Sequence, residues 1–201
     1  MRHLAISSLL LLAAVPFFAA KTVDTPPTTP PPVAVKFLDL FDRLRDAQDP
    51  AGDHKQVAFQ LSENDFNDYL RYALKTTPRP GLDSITVKFF AKDYISTFTK
   101  VDFDAVERWH PGTIPTVFRT ILKGKKSIWI DCRIHAADSK LTFTIEKARY
   151  DDLPLPSFFV EKVIQLMAAR QPEKYDTSKP MPMPFGLNKA WTAEHTIYGH
   201  N

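Results

Sequence analysis

The stretch SIWIDCRIHAADSKLTFTIEKARY, residues 127–150, alternates apolar and polar side chains on both sides of a short break, AADSK. Ile128, Ile130, Cys132 and Ile134 share one parity, matched after the break by Leu141, Phe143 and Ile145, while Asp131, Arg133, Thr142, Thr144 and Glu146 take the other. Successive strand residues point to opposite faces, so this reads as an antiparallel hairpin with one dry face and one wet face. A sheet wetted on one side needs a cover for the other, and the remaining periodic segments are helical.

Working outward, ITVKFF (85–90) and YISTFTKVDF (94–103) alternate about AKD and give a second hairpin. VAFQL (57–61) and KAWTAEHTIYG (189–199) are weaker strand candidates. Three helices follow from period. In VAVKFLDLFDRLRDAQ (33–48), Phe37, Leu38, Leu40, Phe41 and Leu44 fall on one side, with Asp39, Asp42, Arg43 and Asp46 opposite. In LSENDFNDYLRYALK (61–75), Ser62 is an N-cap, Asp65 approximates a capping box, and Phe66, Tyr69, Leu70, Ala73 and Leu74 form the apolar stripe before TTPRPG ends the helix.

The third helix lies in DDLPLPSFFVEKVIQLMAAR (151–170), starting at Pro156 or Ser157 and stopped by Pro172. Its apolar arc, through Phe159, Val160, Val163, Ile164, Leu166 and Met167, is broader than a helix lying on a sheet needs. Helix, strand, helix, hairpin, irregular segment, hairpin, helix and final strand make an α+β fold, a sheet wrapped on one or two long amphipathic helices.

With 201 residues, 44% of them hydrophobic and 24% charged, the chain suits one domain with a buried core. A formal charge of +3 with mixed signs speaks against a nucleic-acid surface. Arg2 precedes an apolar run from Leu4 to Ala20, so residues 1–20 read as a signal peptide or, if uncleaved, a membrane-contacting anchor. A proline-rich linker, 21–34, leads into a single domain, 35–201, in which the proline-rich segment 172–185 lies over the surface with Met181 and Met183 as contacts. Export to the periplasm, free or tethered to the inner membrane, is the expected location. Cys132, the single cysteine, gives no disulfide framework and reads as a buried small hydrophobe.

Catalytic signatures are missing: HExxH, GxSxG and a phosphate-cradling glycine loop do not occur. His110 and His135 are far apart, and His195 and His200 sit near a terminus expected to fray. Asp102 and Asp104 would share a face if both lay on a strand, yet acidic residues at a strand end are routine. The reading is therefore of no catalytic residue, no metal and no cofactor, against the alternative of a hydrolase assembled from dispersed Asp and His.

LSENDFNDYLRYAL with its Asn67, the hairpin ITVKFFAKDYISTFTKVDF, and LTFTIEKARYDDLPLPSFFVEKVI together resemble exported bacterial proteins of the tubular lipid-binding (TULIP-like) superfamily over residues 57–170. The resemblance implies long helices held in a strongly curved antiparallel sheet, with lipid or another apolar small molecule in the seam between them. Carried over, Phe66, Tyr69 and Leu70 would line the seam from the second helix, Phe159, Val163 and Met167 from the third, and Phe89, Ile130 and Phe143 from the sheet. The chain departs from the pattern in lacking glycine at both hairpin turns. The expected function is a non-catalytic carrier of such a ligand. The alternative is an envelope interaction or scaffold module with a fully packed core, offering Trp129, Arg133 and His135 to a protein partner.

Overall fold

A computed structural model of the chain describes residues 29–49, 55–109, 111–168 and 179–201, without the side chains of 166–168. The signal segment, most of the linker and the first half of 172–185 lie outside these residues.

The first helix, α1, runs from Pro32 to Asp46, so Pro32, Val33 and Ala34 of the stretch read as linker are helical. Proline at the first position is compatible with this start because the N–H it lacks would have no partner there. Strand β1 (Ala58–Ser62) runs directly into α2 (Glu63–Thr76), whose first turn is capped by the Ser62 hydroxyl accepting from Asp65 N at 3.1 Å. The Asp65 carboxylate turns instead to Lys36 of α1 at 2.6 Å, and that ammonium holds its pKa below the usual carboxylate value.

β2 (Leu82–Phe90) and β3 (Tyr94–Asp102) form the first hairpin. A short helix, α3 (Phe103–Trp109), and a 3-10 turn at Thr116–Phe118 occupy the segment read as irregular. β4 (Lys125–Ala137) and β5 (Lys140–Tyr150) form the second hairpin, followed by β6 (Leu153–Leu155) and α4 (Ser157–Ala168). β7 (Met181–Pro182) pairs with the start of β5, and both Met181 and Met183 are buried. The final segment is two strands rather than one: β8 (Lys189–Ala193) and β9 (Thr196–His200).

Among the described residues the nine strands make one curved, open antiparallel sheet, with the path β1-β9-β8-β4-β3-β2 and β5 to β7 branching from β4. The missing turn glycines are replaced by side chains that tolerate the left-handed region. Asp138 (φ 53°) and Ser139 (φ 58°) form the two-residue turn of the second hairpin, and Lys92 (φ 62°) and Asp93 (φ 60°) sit in the first.

Curvature has a sequence cause. Inward residues of β5 are odd-numbered at 141, 143 and 145, then even-numbered at 148 and 150, because Asp131 pairs with Lys147 while Cys132 pairs with Ile145. That bulge keeps Ala148 and Tyr150 facing inward and bends the strand. The C-terminus, expected to fray, is held on both sides: β9 pairs with β1 and β8, and Asn201 Oδ1 accepts from Val57 N at 2.7 Å.

The main core lies between the sheet's concave face and α1 with α2, with α4 added through Val160 and Ile164. A second, smaller core gathers Leu82, Val101, Phe103, Val106, Leu122 and Tyr150 under the segment that follows β3.

Candidate functional site

Five residues assigned to the seam come together, and they come together as core. Phe66, Tyr69, Leu70, Phe89 and Ile130 are all buried in the main cluster. Aromatic packing fills the space between them: Phe37 of α1 stacks on Tyr69 at 4.5 Å between centroids, and Phe66 meets Phe37 at 6.0 Å and Phe89 at 5.3 Å edge-on. Phe143 is half-buried beside this cluster. On α4 the set divides: Phe159 is half-buried with its ring 5.3 Å from that of Phe118, and Val163 packs against the second core. Met167 falls on α4, but its side chain is outside the description.

An open groove of about 550 Å³ lies elsewhere, where α2 hands over to β2. Leu74, Pro78, Leu82 and Ile85 give it apolar lining, and Arg71, Lys75 and Arg79 outnumber the one lining carboxylate, Asp83, which pairs with Lys125 at 3.2 Å. The turn TTPRPG that stops α2 builds this hollow. Gly81 adopts φ +88°, and a Cβ there would sit 2.4 Å from Val106 Cγ2 and 2.6 Å from Asp102 O, so only glycine lets α3 close so tightly on the turn. Desolvation lowers the pKa of the Arg79 guanidinium. Arg71 pairs with Asp68 on its own helix.

The same end of the sheet carries an apolar margin that the sequence reading passed over. Phe158 is 72% exposed, Val117 73%, Leu153 67% and Ile121 46%. Three contacts tie them together: the Phe118–Phe159 ring pair, the Tyr150 hydroxyl donating to Ile121 O at 2.6 Å, and the Tyr150–Leu153 strand pairing. The available signal was the doublet Phe158-Phe159: rings about 100° apart on a helix do not both face one sheet.

Of the titratable groups, Asp102, Asp151 and His195 have local partners. Asp102 Oδ1 accepts from Ala105 N at 3.0 Å, capping α3, and Asp104 belongs to the helix itself, so the two do not form a strand-face pair. Asp151 accepts from Ser127 N and from Lys126, both at 2.9 Å, and those donors depress its pKa. His195 Nδ1 lies 3.3 Å from Glu63 Oε2, His135 is exposed on the sheet's outer face, and His110 is outside the described residues. Among the described residues no group of three or more His, Cys, Asp or Glu is placed to hold a metal ion. Burial pushes the Cys132 thiol up to about 12, with the charges of Asp131 and Glu146 adding to it.

On the outer face of the sheet Phe98 and Trp129 lie 4.3 Å apart, and the Arg149 guanidinium sits 4.4 Å from the Trp129 ring. Trp129 is thus already engaged by two neighbours, while Arg133 is tied to Glu146.

No family description matches the chain, and no curated protein matches it. One solved structure, that of a lipopolysaccharide binding protein, overlaps it at 10% identity with a TM-score of 0.22, covering 71% of this chain and 39% of that one. The chain therefore spans well under two thirds of that protein's length, and an overlap this loose carries no argument about function.

Proposed function

We propose that this protein is an exported, non-catalytic binder of lipid or another apolar ligand that bears an anionic group. The groove between α2 and β2 carries the reading: its apolar lining is of a size that takes a short hydrocarbon tail, and Lys75 of that lining is exposed with no acid partner among the described residues. Burial of a tail contributes about 0.8 kcal/mol per methylene before ordering costs, so binding needs no polar motif. This reading takes the groove rather than the seam first expected, since Phe66, Tyr69 and Phe89 of the seam pack with Phe37 as core.

Native mass spectrometry of the protein after gentle extraction tests this. A co-extracted acidic amphiphile is expected, as is about tenfold weaker binding of a fluorescent fatty acid when the exposed pair is reversed, Arg71→Glu with Lys75→Glu. Protein that carries no amphiphile and binds no fatty acid would end the proposal.

The second reading, an envelope interaction module, is favoured by the packing of α1 and α2 on the sheet. It expects a specific protein captured through Trp129, Arg133 and His135, lost on Trp129→Ala, with no lipid in the extract.

A further inference from the structure

We infer that the apolar margin formed by Val117, Ile121, Leu153 and Phe158 seats this domain on the surface of a lipid bilayer. These side chains come from three separate segments: the stretch after α3, strand β6 and the first turn of α4. On α4, Val160 and Ile164 face the core one turn apart, which places Phe158 on the opposite side of the helix. A helix that is apolar toward both its sheet and its surroundings at the same turn is built to meet a second apolar phase.

A bilayer is the occupant that the rest of the chain favours. Residues preceding α1 include the apolar run Leu4 to Ala20, joined to the helix by a proline-rich stretch of eleven residues, 21–31. At a polyproline rise of about 3.1 Å per residue, eleven residues reach no further than roughly 34 Å, which would keep the domain within contact distance of a membrane holding the run. Lys123 and Lys162 stand exposed beside the margin with no acid partner among the described residues, and long aliphatic stems let such ammonium groups reach the headgroups while the apolar residues enter. Asp152 and Glu161 offset their charge, so hydrophobic insertion and not net charge carries the attachment. It is accordingly only weakly dependent on salt.

This inference rests on the lipid-contacting reading above, and its test is separable from that of the groove. The full chain is reconstituted into vesicles of phosphatidylcholine and phosphatidylglycerol in equal parts, with a nitroxide attached in turn at Leu153→Cys, Val117→Cys and, as a control on the sheet's outer face, Lys88→Cys. Buried Cys132 stays unlabelled. Collision with oxygen dissolved in the acyl region is expected to exceed collision with a water-soluble nickel complex at 153 and 117, and the reverse at 88. Adding Phe158→Asp is expected to return the label at 153 to the aqueous value, while binding of fatty acid in the groove is unchanged. Labels at 153 and 117 that read as water would overturn the docking and leave the groove standing. Spin–spin broadening between copies at 153 would also overturn it, assigning the margin to a second copy of the chain.

Discussion

Asn67 sits where a strand edge needs closing. Its Nδ2 donates to Val87 O at 2.8 Å and to Glu63 O at 2.9 Å, while its Oδ1 accepts from Val87 N at 2.8 Å. Glu63 Oε2 accepts from Phe89 N at 2.8 Å, so two side chains of one helical turn satisfy three backbone groups of β2, the terminal strand of the sheet path. An open edge invites pairing with another chain, and this arrangement covers it. Asn67→Ala leaves the Val87 amide and carbonyl buried without partners. A loss of about 2–4 kcal/mol is expected in urea unfolding, and a loss under about 0.5 kcal/mol would show that water replaces the clamp. Ionisable side chains predict an alkaline limit as well. Burial raises the Cys132 thiol from its ordinary 9.0 to about 12, and burial followed by the Asp151 charge raises the Tyr150 hydroxyl from 10.0 to about 12. Between those limits the unfolded chain has lost protons that the folded chain keeps, so stability is complete below pH 9.0 and falls as pH rises toward 12. Cys132→Ala combined with Tyr150→Phe is expected to flatten the stability profile across that window. An unchanged slope would mean that neither group is coupled to folding.

Elements were legible wherever a period ran long enough. Both hairpins, the capped start of α2 and the face of α1 followed from alternation or 3.6-residue spacing, but the β5 bulge, a change of parity between Ile145 and Ala148, did not. α3 was not legible because its seven residues complete barely two turns and begin where a strand has just ended. β8 and β9 read as one strand because the turn between them, Glu194-His195, contains none of the usual turn residues; His195 is held at φ 57° by contacts distant in sequence, its N–H donating to Phe89 O at 3.0 Å and its C=O accepting from Glu63 N at 2.8 Å. The role of the seam residues was not legible for a related reason. A stripe that packs on a sheet and a stripe that lines a ligand have the same composition, so Phe66, Tyr69 and Phe89 gave no sign of which they were. α4 separates the two roles within one element, and a pair of substitutions exposes the separation. Ile164→Ala, on the core face, is expected to cost about 2–4 kcal/mol, whereas Phe158→Ser, on the exposed face, is expected to change stability by less than about 0.5 kcal/mol. Equal losses at the two positions would place Phe158 in the core.

At the scale of the whole molecule, two cores share one sheet but differ in how they are closed. The main core is bounded by two helices, the full strand ladder and the β8–β9 hairpin, whose Thr192 reaches back to Phe90 O at 2.6 Å and Asp93 Oδ1 at 2.9 Å. Over the second core, among the described residues, lie α3, the 3-10 turn and part of α4, with Leu74 of α2 and Leu155 of β6 at its border, and this cover makes few backbone hydrogen bonds to its surroundings, among them Phe103 N to Gly124 O at 3.0 Å. Regions with short elements and little ladder bonding open at lower free energy than the molecule as a whole. The groove, Gly81 and the apolar margin all border this weaker cover, so a ligand or a membrane there meets the part of the fold most able to adjust. Native-state hydrogen exchange at rising denaturant concentration separates the cases. Amides of Val106 and Leu122 are expected to exchange through an opening with a small denaturant slope, while those of Ile95 and Cys132 exchange only with global unfolding. Gly81→Ala, which forces the α3 contact apart, is expected to lower the first opening energy by about 1–3 kcal/mol and to leave the slope at Ile95 unchanged. A single slope shared by all four amides would mean that both cores unfold as one unit, and that the end carrying the groove and the apolar margin has no independent freedom to yield.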